Sequence, residues 1–307
     1  MSFFQPAPGT VLSHDIADYP DGIVLPIDKP YRWTSADVIR KVKFAAFRHF
    51  RKKNLKVGHA GTLDPLATGV LLVCLGPACK RAQEFQDHDK EYVAGIRFGA
   101  TTPSYDLEKE VDRTFPYDQV TEDAVRAVLP SFLGPQEQVA PLFSAKSVDG
   151  VRAYEMARKL YRNAQKGVLD PDFDAAALKT LHRSRITISD LELLGFVDAF
   201  DAREASAETP EADAACTQTV ISSDAAGGVE KSASSRINVA DTSSLGLPEA
   251  KIRIACSKGT YIRAFARDLG EALGTGAHLS SLVRTKTGAF RLEDALSLEE
   301  ALALLAD

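Results

Sequence analysis

Residues 58–76 read GHAGTLDPLATGVLLVCLG and join a shaped loop to an apolar run. Three glycines and one proline fall within the first twelve of these residues, which is typical of a loop rather than the interior of a helix or strand. The run at 70–75 lies between two glycines and predicts a buried strand. Because Pro65 favours an extended backbone at Asp64, this carboxylate could project from the loop into a cleft. An ordinary Asp-Pro turn beside a glycine-rich connection is the alternative interpretation.

The rest of the chain mixes strand and helix patterns. They interleave without a repeating βα unit, which favours an α+β fold over a doubly wound one. Ser35 is predicted to cap a helix that begins at residue 36 and carries an apolar stripe. The predicted strands are 92–98, 185–194 and 251–256, and the other predicted helices are 120–133, 154–161, 261–273 and 298–305.

Residues 201–248 differ in composition from their surroundings. They contain eight acids, three bases and no aromatic residue. Such a segment cannot bury enough apolar surface to offset the entropy lost on ordering. We therefore predict a single domain formed by residues 1–200 and 249–307. A disordered acidic insertion at 201–248 is predicted to interrupt it and to join two neighbouring strands.

Charge is distributed unevenly along the chain. The net charge is −5, and residues 201–248 alone account for all of it. Residues 36–56 hold eight bases against a single acid, Asp37. Such a cluster fits the phosphate backbone of a nucleic acid. A solvated helix face is the alternative.

Several classes of protein are disfavoured. No apolar run approaches the roughly 18 residues of a membrane span. The N-terminus lacks the basic and apolar regions of a secretory signal, so we expect a cytoplasmic protein. The four cysteines are scattered and form no CxxC pair, which favours reduced thiols over a disulfide framework or a zinc site.

The run at 58–76 closely resembles the catalytic motif of the tRNA pseudouridine-55 synthases, the B-type family. Four further blocks resemble motifs of that family, and all five stand in the family's order, which argues against coincidence. The four are Asp28-Lys29-Pro30 with Thr34-Ser35, Lys90-Glu91-Tyr92, QVAPLFSA at 138–145, and CSKGTYIR at 256–263 with GAHL at 276–279 and Leu282.

The resemblance implies a pseudouridine synthase fold, an α+β domain with a central mixed, largely antiparallel sheet flanked by helices. It implies isomerisation of a uridine to pseudouridine, expected at position 55 in the T-loop of tRNA, with flipping of the base. The implied partner is the T-arm of tRNA. The resemblance implies no guide RNA, no membrane partner, no metal and no other cofactor. It also implies a monomeric enzyme.

The resemblance also implies roles for seven residues. Asp64 is the expected nucleophile, Arg263 its cationic partner, and Tyr92 the ring that stacks on the uracil. Core packing is the alternative for Tyr92, and a phosphate contact is the alternative for Arg263. The expected substrate-binding residues are His59 in the space of the flipped base, Tyr261 and Leu282 as pocket walls, and Lys29 as a structural or phosphate contact. Core packing is the alternative for Tyr261 and Leu282.

The sequence departs from the family pattern in four respects. Arg32 stands where glycine is usual, which disfavours a left-handed backbone there. Only Asp106 is retained from the acidic run that usually follows the strand of Tyr92. Val283 replaces a common arginine, although Arg284 remains. Only 23 residues follow Arg284, so we expect no C-terminal RNA-binding domain.

Three other functions stay open. A non-catalytic RNA-binding protein on the same scaffold is disfavoured by the retained Asp64, Tyr92 and Arg263. An aspartyl-nucleophile hydrolase is disfavoured because Leu66 stands where a second acid is usual. A guide-RNA-dependent synthase is disfavoured by the expected lack of a C-terminal RNA-binding domain.

Pseudouridylation has no redox or phosphoryl-transfer step, and the sequence contains no GxxxxGK[ST], GxGxxG or HExxH motif. We therefore expect activity to survive excess EDTA and to need no added nucleotide. An activity that disappears with chelator and returns with a divalent metal, on tRNA that stays folded, would contradict this prediction.

Overall fold

The computed structural model describes residues 3–6, 9–141, 147–148, 151–152, 183–199, 237 and 239–306. The predicted helix at 154–161 and most of the predicted insertion lie outside these residues. The described strands are β1 (Ile23–Lys29), β2 (Val57–Ala60), β3 (Ala67–Leu75), β4 (Lys90–Phe98), β5 (Ala100–Thr101), β6 (Arg113–Thr114), β7 (Gly134–Val139), β8 (Ser147–Val148), β9 (Val151–Arg152), β10 (Arg183–Val197), β11 (Glu249–Cys256), β12 (Ala277–Thr287) and β13 (Phe290–Arg291). The described α-helices are α1 (Ser35–His49), α2 (Ala82–Asp87), α3 (Glu122–Val128), α4 (Ile262–Ala272) and α5 (Leu298–Ala303).

One mixed sheet organises the described chain. Its strand order is β1-β3-β12-β4-β11-β10-β7, with β2 beside β3 and β13 beside β12. Only the pairing of β12 with β3 is parallel among these contacts. This arrangement confirms the predicted α+β fold with a largely antiparallel sheet. Strands β10 and β11, which flank the predicted insertion, are antiparallel neighbours.

The apolar run of β3 is buried because the sheet is covered on both faces at this strand. On one face, Leu71 and Val73 join the main core, to which α1 and α4 contribute Val42 and Phe265. On the other face, a smaller cluster forms around Leu72 and includes residues of α2 and β13. A strand buried on both sides needs apolar residues at successive positions, which explains the continuous run in the sequence.

Helix α1 begins one residue earlier than predicted. Thr34, not Ser35, is the N-cap, because its hydroxyl accepts a hydrogen bond from the Asp37 amide at 3.1 Å. The Asp37 carboxylate accepts one in return from the Thr34 amide, which completes a capping box. Ser35 makes different contacts, since its hydroxyl bonds to both the amide and the carbonyl of Leu63, at 2.9 and 3.1 Å. The N-terminus of α1 is thus fastened to the loop that carries Asp64.

The C-terminal end of the predicted insertion packs on the domain. The Ala240 amide donates to the Leu107 carbonyl at 2.8 Å, and the Thr242 hydroxyl accepts from Arg97 at 2.8 Å. Thr242 and Leu247 are buried. The described chain therefore resumes packing by residue 240, before the predicted boundary at 249.

None of the described helices combines the length and the hydrophobicity that crossing a bilayer requires. The longest of them, α1, has 15 residues.

A Gly-Ser linker in place of residues 201–236 is expected to leave the melting temperature nearly unchanged, because closing a long loop costs little more than closing a short one. Extending the replacement through residue 248 should lower the melting temperature, because Thr242 and Leu247 then no longer pack on the domain. For a domain of this size the shift is about 2–4 °C for each kcal/mol of stability removed. Thermal unfolding of both variants tests this pair of outcomes, and equal melting temperatures for them would contradict it.

Candidate active site

The loop between β2 and β3 places Asp64 in an open cleft of about 690 Å³ at one end of the sheet. The tip of β4, the start of β10, the turn after β11 and the first turn of α4 form the other walls. Five of the seven predicted residues meet here, although they are far apart in sequence. The cleft is lined by Asp64, Tyr92, Tyr261, Arg263 and Leu282, together with Arg284 and others.

Asp64 forms a two-point ion pair with Arg263. The Arg263 Nε donates to Asp64 Oδ2 at 2.9 Å and Nη2 donates to Oδ1 at 3.2 Å. The Arg263 side chain is only 5% exposed, whereas that of Asp64 is 39% exposed. The guanidinium thus lies behind the carboxylate, which keeps an accessible side toward the cleft. Such two-point contact fixes the orientation of the carboxylate as well as its charge.

Asp106 supports Arg263 from behind. Its Oδ2 lies 3.7 Å from the Arg263 Nε, and the Ser104 carbonyl accepts from Nη1 at 3.1 Å. Burial raises the pKa of Asp106, while Arg263 and a hydrogen bond from the Ser104 hydroxyl oppose that shift. Burial alone would lower the pKa of Arg263, but the carboxylates of Asp64 and Asp106 outweigh it and the net shift is upward. The arginine therefore stays charged inside the domain.

Lys29 is fully buried beneath the same loop. Its ammonium donates to three carbonyls, those of Pro30 at 2.8 Å, Trp33 at 2.6 Å and Pro65 at 3.1 Å. Burial lowers the pKa of Lys29 to about 7, and the carboxylates of Asp64 and Asp28 partly oppose that shift. Of the two predicted roles, this geometry favours structural support over a phosphate contact, because the buried group faces backbone carbonyls.

Arg284 ties together the two ends of the loop. Its Nη2 donates to the Gly61 carbonyl at 3.1 Å and its Nε donates to the Val70 carbonyl at 2.7 Å. Gly69 lies against the Arg284 backbone at a φ of 97°, and a Cβ there would come within 2.2 Å of the Arg284 carbonyl oxygen. This close approach explains the glycine at the start of the buried strand.

Tyr92 lies on β4 opposite Arg284 of β12, so the two side chains share one face of the sheet. Its ring lines the cleft, yet Tyr92 is 9% exposed. Burial raises the pKa of Tyr92, because the phenolate form is disfavoured away from water, and Arg284 opposes the shift. The phenol is therefore neutral and presents a ring to the cleft.

The other predicted substrate-binding residues are Leu282, Tyr261 and His59. Leu282 and Tyr261 line the cleft, and Tyr261 is held by a pair of hydrogen bonds between its backbone and the Gln138 side chain. His59 lies on β2, two residues before the cleft residue Gly61, and does not itself line the cleft. Burial lowers the pKa of His59, and Arg284 adds to that shift, so the imidazole is neutral near neutral pH.

Arg32 adopts the backbone conformation that its side chain disfavours. Its φ is 64°, so the left-handed backbone that the loss of glycine disfavours is nevertheless present. Two contacts hold this conformation: the Arg32 amide donates to the Pro65 carbonyl at 3.0 Å, and its guanidinium donates to the Ile237 carbonyl at 2.6 Å. The turn after β1 therefore supports the Asp64 loop despite the substitution.

Sequence reasoning did not assign functional roles to Arg284, Asp106 or Ser35. For Arg284 a signal was available. It is a charged residue two positions after Leu282, so both side chains lie on the same inward-facing side of the strand. Ser35 and Asp106 were noted in motifs that resemble those of the family, but their contacts with Leu63 and Arg263 were not predicted, because these partners are distant in the chain.

Within the described ranges, no group of three or more His, Cys, Asp or Glu side chains is arranged to hold a metal ion. Three cysteines lie in these ranges, Cys74, Cys79 and Cys256, and all are free thiols. Cys216 lies outside them.

Two family models match the chain. The model described as "TruB family pseudouridylate synthase (N terminal domain)" matches residues 48–167, and "tRNA pseudouridylate synthase B C-terminal domain" matches residues 263–307. The second range includes α4, β12, β13 and α5, which are parts of the domain described above. The expected lack of a separate RNA-binding domain stays a prediction.

Curated relatives match over almost the whole chain. A protein named tRNA pseudouridine synthase B from Phocaeicola vulgatus is 43% identical over 282 residues, which cover 92% of each chain. Relatives of the same name from Bacteroides fragilis and Deinococcus radiodurans are 42% and 37% identical. They cover 91% and 90% of this chain, and the matches span 92% and 77% of theirs.

A solved structure titled "Crystal Structure of a Cbf5-Nop10-Gar1 Complex" contains a chain similar in fold. The TM-score is 0.52 at 23% identity, and the match covers 92% of this chain. It spans 54%, about half, of that solved chain. At this identity the likeness concerns the fold alone.

Lys29→Met should lower the free energy of unfolding, because it keeps most of the side-chain volume but leaves three carbonyls without their shared donor. Each buried acceptor left unsatisfied costs about 1–3 kcal/mol. Urea unfolding measures the loss, and Lys80→Met, at an exposed lysine, is the matched control. Equal stability of the two variants would show that Lys29 does not support the loop.

The free energy of unfolding lost in Lys29→Met should also depend on pH. Because the folded pKa of Lys29, about 7, lies below the ordinary 10.5, the unfolded chain binds more protons in the window between these values. The stability of the parent protein therefore gains a contribution that grows as pH rises from 7, and Lys29→Met lacks it. The difference in unfolding free energy between the parent and Lys29→Met should be larger at pH 9 than at pH 7. A difference that shrinks over this interval would argue against a depressed pKa.

Proposed function

The chain belongs to the TruB family of pseudouridylate synthases, and from this premise we propose that Asp64 is the nucleophile with which it isomerises a uridine of tRNA to pseudouridine. The reacting uridine is position 55 in the T-loop. The observation that carries the assignment to Asp64 is its two-point contact with the buried Arg263 at the floor of an open cleft.

The reaction rearranges bonds and consumes nothing. The bond between ribose C1′ and uracil N1 breaks, the base turns, and a bond between C1′ and C5 forms. The proton on C5 is lost, and N1 gains one, so the product is an isomer of the substrate. Asp64 serves either by attacking C1′ or by removing the C2′ proton to give a glycal, and both routes start from its ionised form.

The surroundings of Asp64 support that role. A carboxylate in a cleft needs a close contact with a cation to offset the hydration that it loses. Arg263 supplies this contact from the buried side, so the accessible side of the carboxylate is left for the ribose. Because Arg263 is fixed by Ser104 and Asp106, its orientation does not have to be created when substrate binds.

Tyr92, Leu282 and His59 serve the flipped base. The neutral Tyr92 ring offers a face on which the uracil stacks while it turns, which suits a base that must change orientation. We propose that its hydroxyl assists removal of the C5 proton. Leu282 and Tyr261 form walls of the pocket, and the neutral imidazole of His59 occupies the space that the base leaves in the RNA.

The substrate is tRNA, and we propose that the enzyme recognises its T-arm as a monomer without a guide RNA. The family membership over almost the whole chain supports this proposal, since the relatives carry the name tRNA pseudouridine synthase B. The test is to map pseudouridine in tRNA transcripts incubated with the purified protein. Product at a single T-loop uridine, with no added RNA, is the expected result. Product that requires a second RNA would overturn the proposal of an unguided enzyme.

Asp64→Asn keeps the shape of the side chain and removes the nucleophile. We expect no detectable pseudouridine but tRNA affinity within a few-fold of the parent. Single-turnover assays and filter binding measure the two quantities separately. Substantial product from this variant would exclude Asp64 as the nucleophile.

Arg263→Ala should mainly lower kcat, because its partner is Asp64 rather than the RNA backbone. The expected loss is on the order of a hundredfold or more, as for other preorganised electrostatic groups. Arg267→Ala, one turn along α4, is the control on the same helix. A rise in KM with unchanged kcat would instead assign Arg263 to phosphate binding.

A further inference from the structure

The outer face of α1 and the turn after it carry a surface that the catalytic cleft does not include. Val38, Val42 and Ala46 turn one face of the helix into the core, so its other face points to solvent. Eight basic residues lie on this face and on the following turn, and all are exposed: Arg40, Lys41, Lys43, Arg48, Arg51, Lys52, Lys53 and Lys56.

The positive charge of this surface is largely uncompensated. Arg40 pairs with Asp37 at 2.9 Å. The other seven cations form no ion pair with any carboxylate in the described part of the chain. Keeping so many like charges together opposes folding through mutual repulsion. A polyanionic partner would relieve that repulsion and release its own counterions.

The surface also has a defined shape, which we call the basic groove. It is about 510 Å³ in volume, and Lys43, Phe47, Lys53, Lys56 and Gly58 are among the residues that line it. Its floor is fixed, because the Gly76 amide donates to the Lys56 carbonyl at 2.8 Å.

The turn that carries Lys52 and Lys53 is anchored in the same way. The Leu55 amide donates to the Lys52 carbonyl at 3.2 Å, and the Leu55 and Phe50 side chains on either side are buried. Arg51 takes the left-handed backbone that a tight turn at a helix end requires, with a φ of 49°. The cations therefore project from a fixed turn rather than from a loose loop.

Aromatic side chains interleave with these cations. Phe44 is 65% exposed, and the Arg48 guanidinium lies 5.9 Å from the centre of its ring. The Lys43 ammonium lies 5.4 Å from the ring of Phe47, which borders the groove. Cations placed beside exposed rings suit RNA, which presents both phosphates and the faces of unpaired bases.

Strand β2 connects the groove to the catalytic loop. Strand β2 begins at Val57, immediately after Lys56, and ends one residue before Gly61. Four residues of extended strand span roughly 13 Å, a distance that one folded RNA easily bridges. Strand β2 therefore sets a short separation along the chain between the groove and the catalytic loop.

We infer that the basic groove binds the sugar–phosphate backbone of the tRNA substrate, at a point separate from the flipped uridine, and that Phe44 provides a stacking face beside it. This inference rests on the proposed function, because it takes tRNA as the substrate. Backbone contacts are equally strong in the ground state and the transition state, so the groove contributes to affinity rather than to the chemical step.

The test is the triple variant Lys43→Ala, Lys53→Ala, Lys56→Ala, at three cations that line the groove, assayed with full-length tRNA transcript. We expect weaker binding by filter assay, a higher KM and a kcat at saturating tRNA close to that of the parent. The plot of log affinity against log salt should flatten by roughly one unit for each phosphate that the variant no longer neutralises. Phe44→Ala should weaken binding without changing this slope, because it removes no charge.

The matched control is the triple variant Arg113→Ala, Lys251→Ala, Arg291→Ala, which removes three exposed cations elsewhere. It should leave affinity and salt slope nearly unchanged. Lys53→Glu provides a single substitution at the groove, with an expected loss of affinity larger than for Lys53→Ala.

Unchanged affinity and salt slope in the groove variants would overturn the inference, as would equal losses in the control triple. Failure of the proposed function is a separate outcome. In that case the parent protein would make no pseudouridine, while the binding measurements would still report on the groove.

Discussion

The ion pair between the buried guanidinium of Arg263 and the accessible carboxylate of Asp64 is the interaction on which the site depends. A carboxylate in a half-closed cleft loses part of its hydration, which costs free energy. A buried guanidinium carries a desolvation cost of its own, which needs several good acceptors to offset it. Asp64, Asp106 and the Ser104 carbonyl provide them. The two charges therefore offset each other's loss of hydration, and the Asp64 carboxylate keeps one accessible side.

The loop that carries Asp64 has little structure of its own, so the surrounding domain has to shape it. Three buried cations do so from three directions. Lys29 holds the Pro65 carbonyl, Arg284 spans the two ends of the loop, and Arg263 fixes the carboxylate itself. Lysine and arginine suit this role because one side chain supplies several donors to carbonyls that no strand or helix satisfies.

The sequence predicted those elements whose formation depends on residues within the element itself. Alternation marked β4, β10 and β11, and the continuous apolar run marked β3, because burial on one or two faces leaves a direct pattern. Most of the site was predictable only through the resemblance of whole motifs, since Asp64 and Arg263 are 199 residues apart. No local pattern reports a contact across such a distance.

Errors arose where tertiary contacts override local preference. Ser35 is a good helix cap by residue type, yet Thr34 takes that position because Ser35 is engaged by Leu63. Arg32 is a poor residue for a left-handed backbone, yet hydrogen bonds to Pro65 and Ile237 hold it there.

The same residue types serve opposite purposes in the two parts of this molecule. Lys29, Arg263 and Arg284 are buried, satisfied by fixed acceptors and shielded from ions in solution, so their contribution is geometry. The cations of the basic groove are exposed and largely unpaired, so their contribution is long-range attraction, which salt screens. An enzyme that must first capture a large polyanion and then act on one of its bases benefits from this separation. Surface charge can therefore change without disturbing the Asp64 carboxylate, because within the described part of the chain the two sets of basic side chains share no hydrogen-bond acceptor.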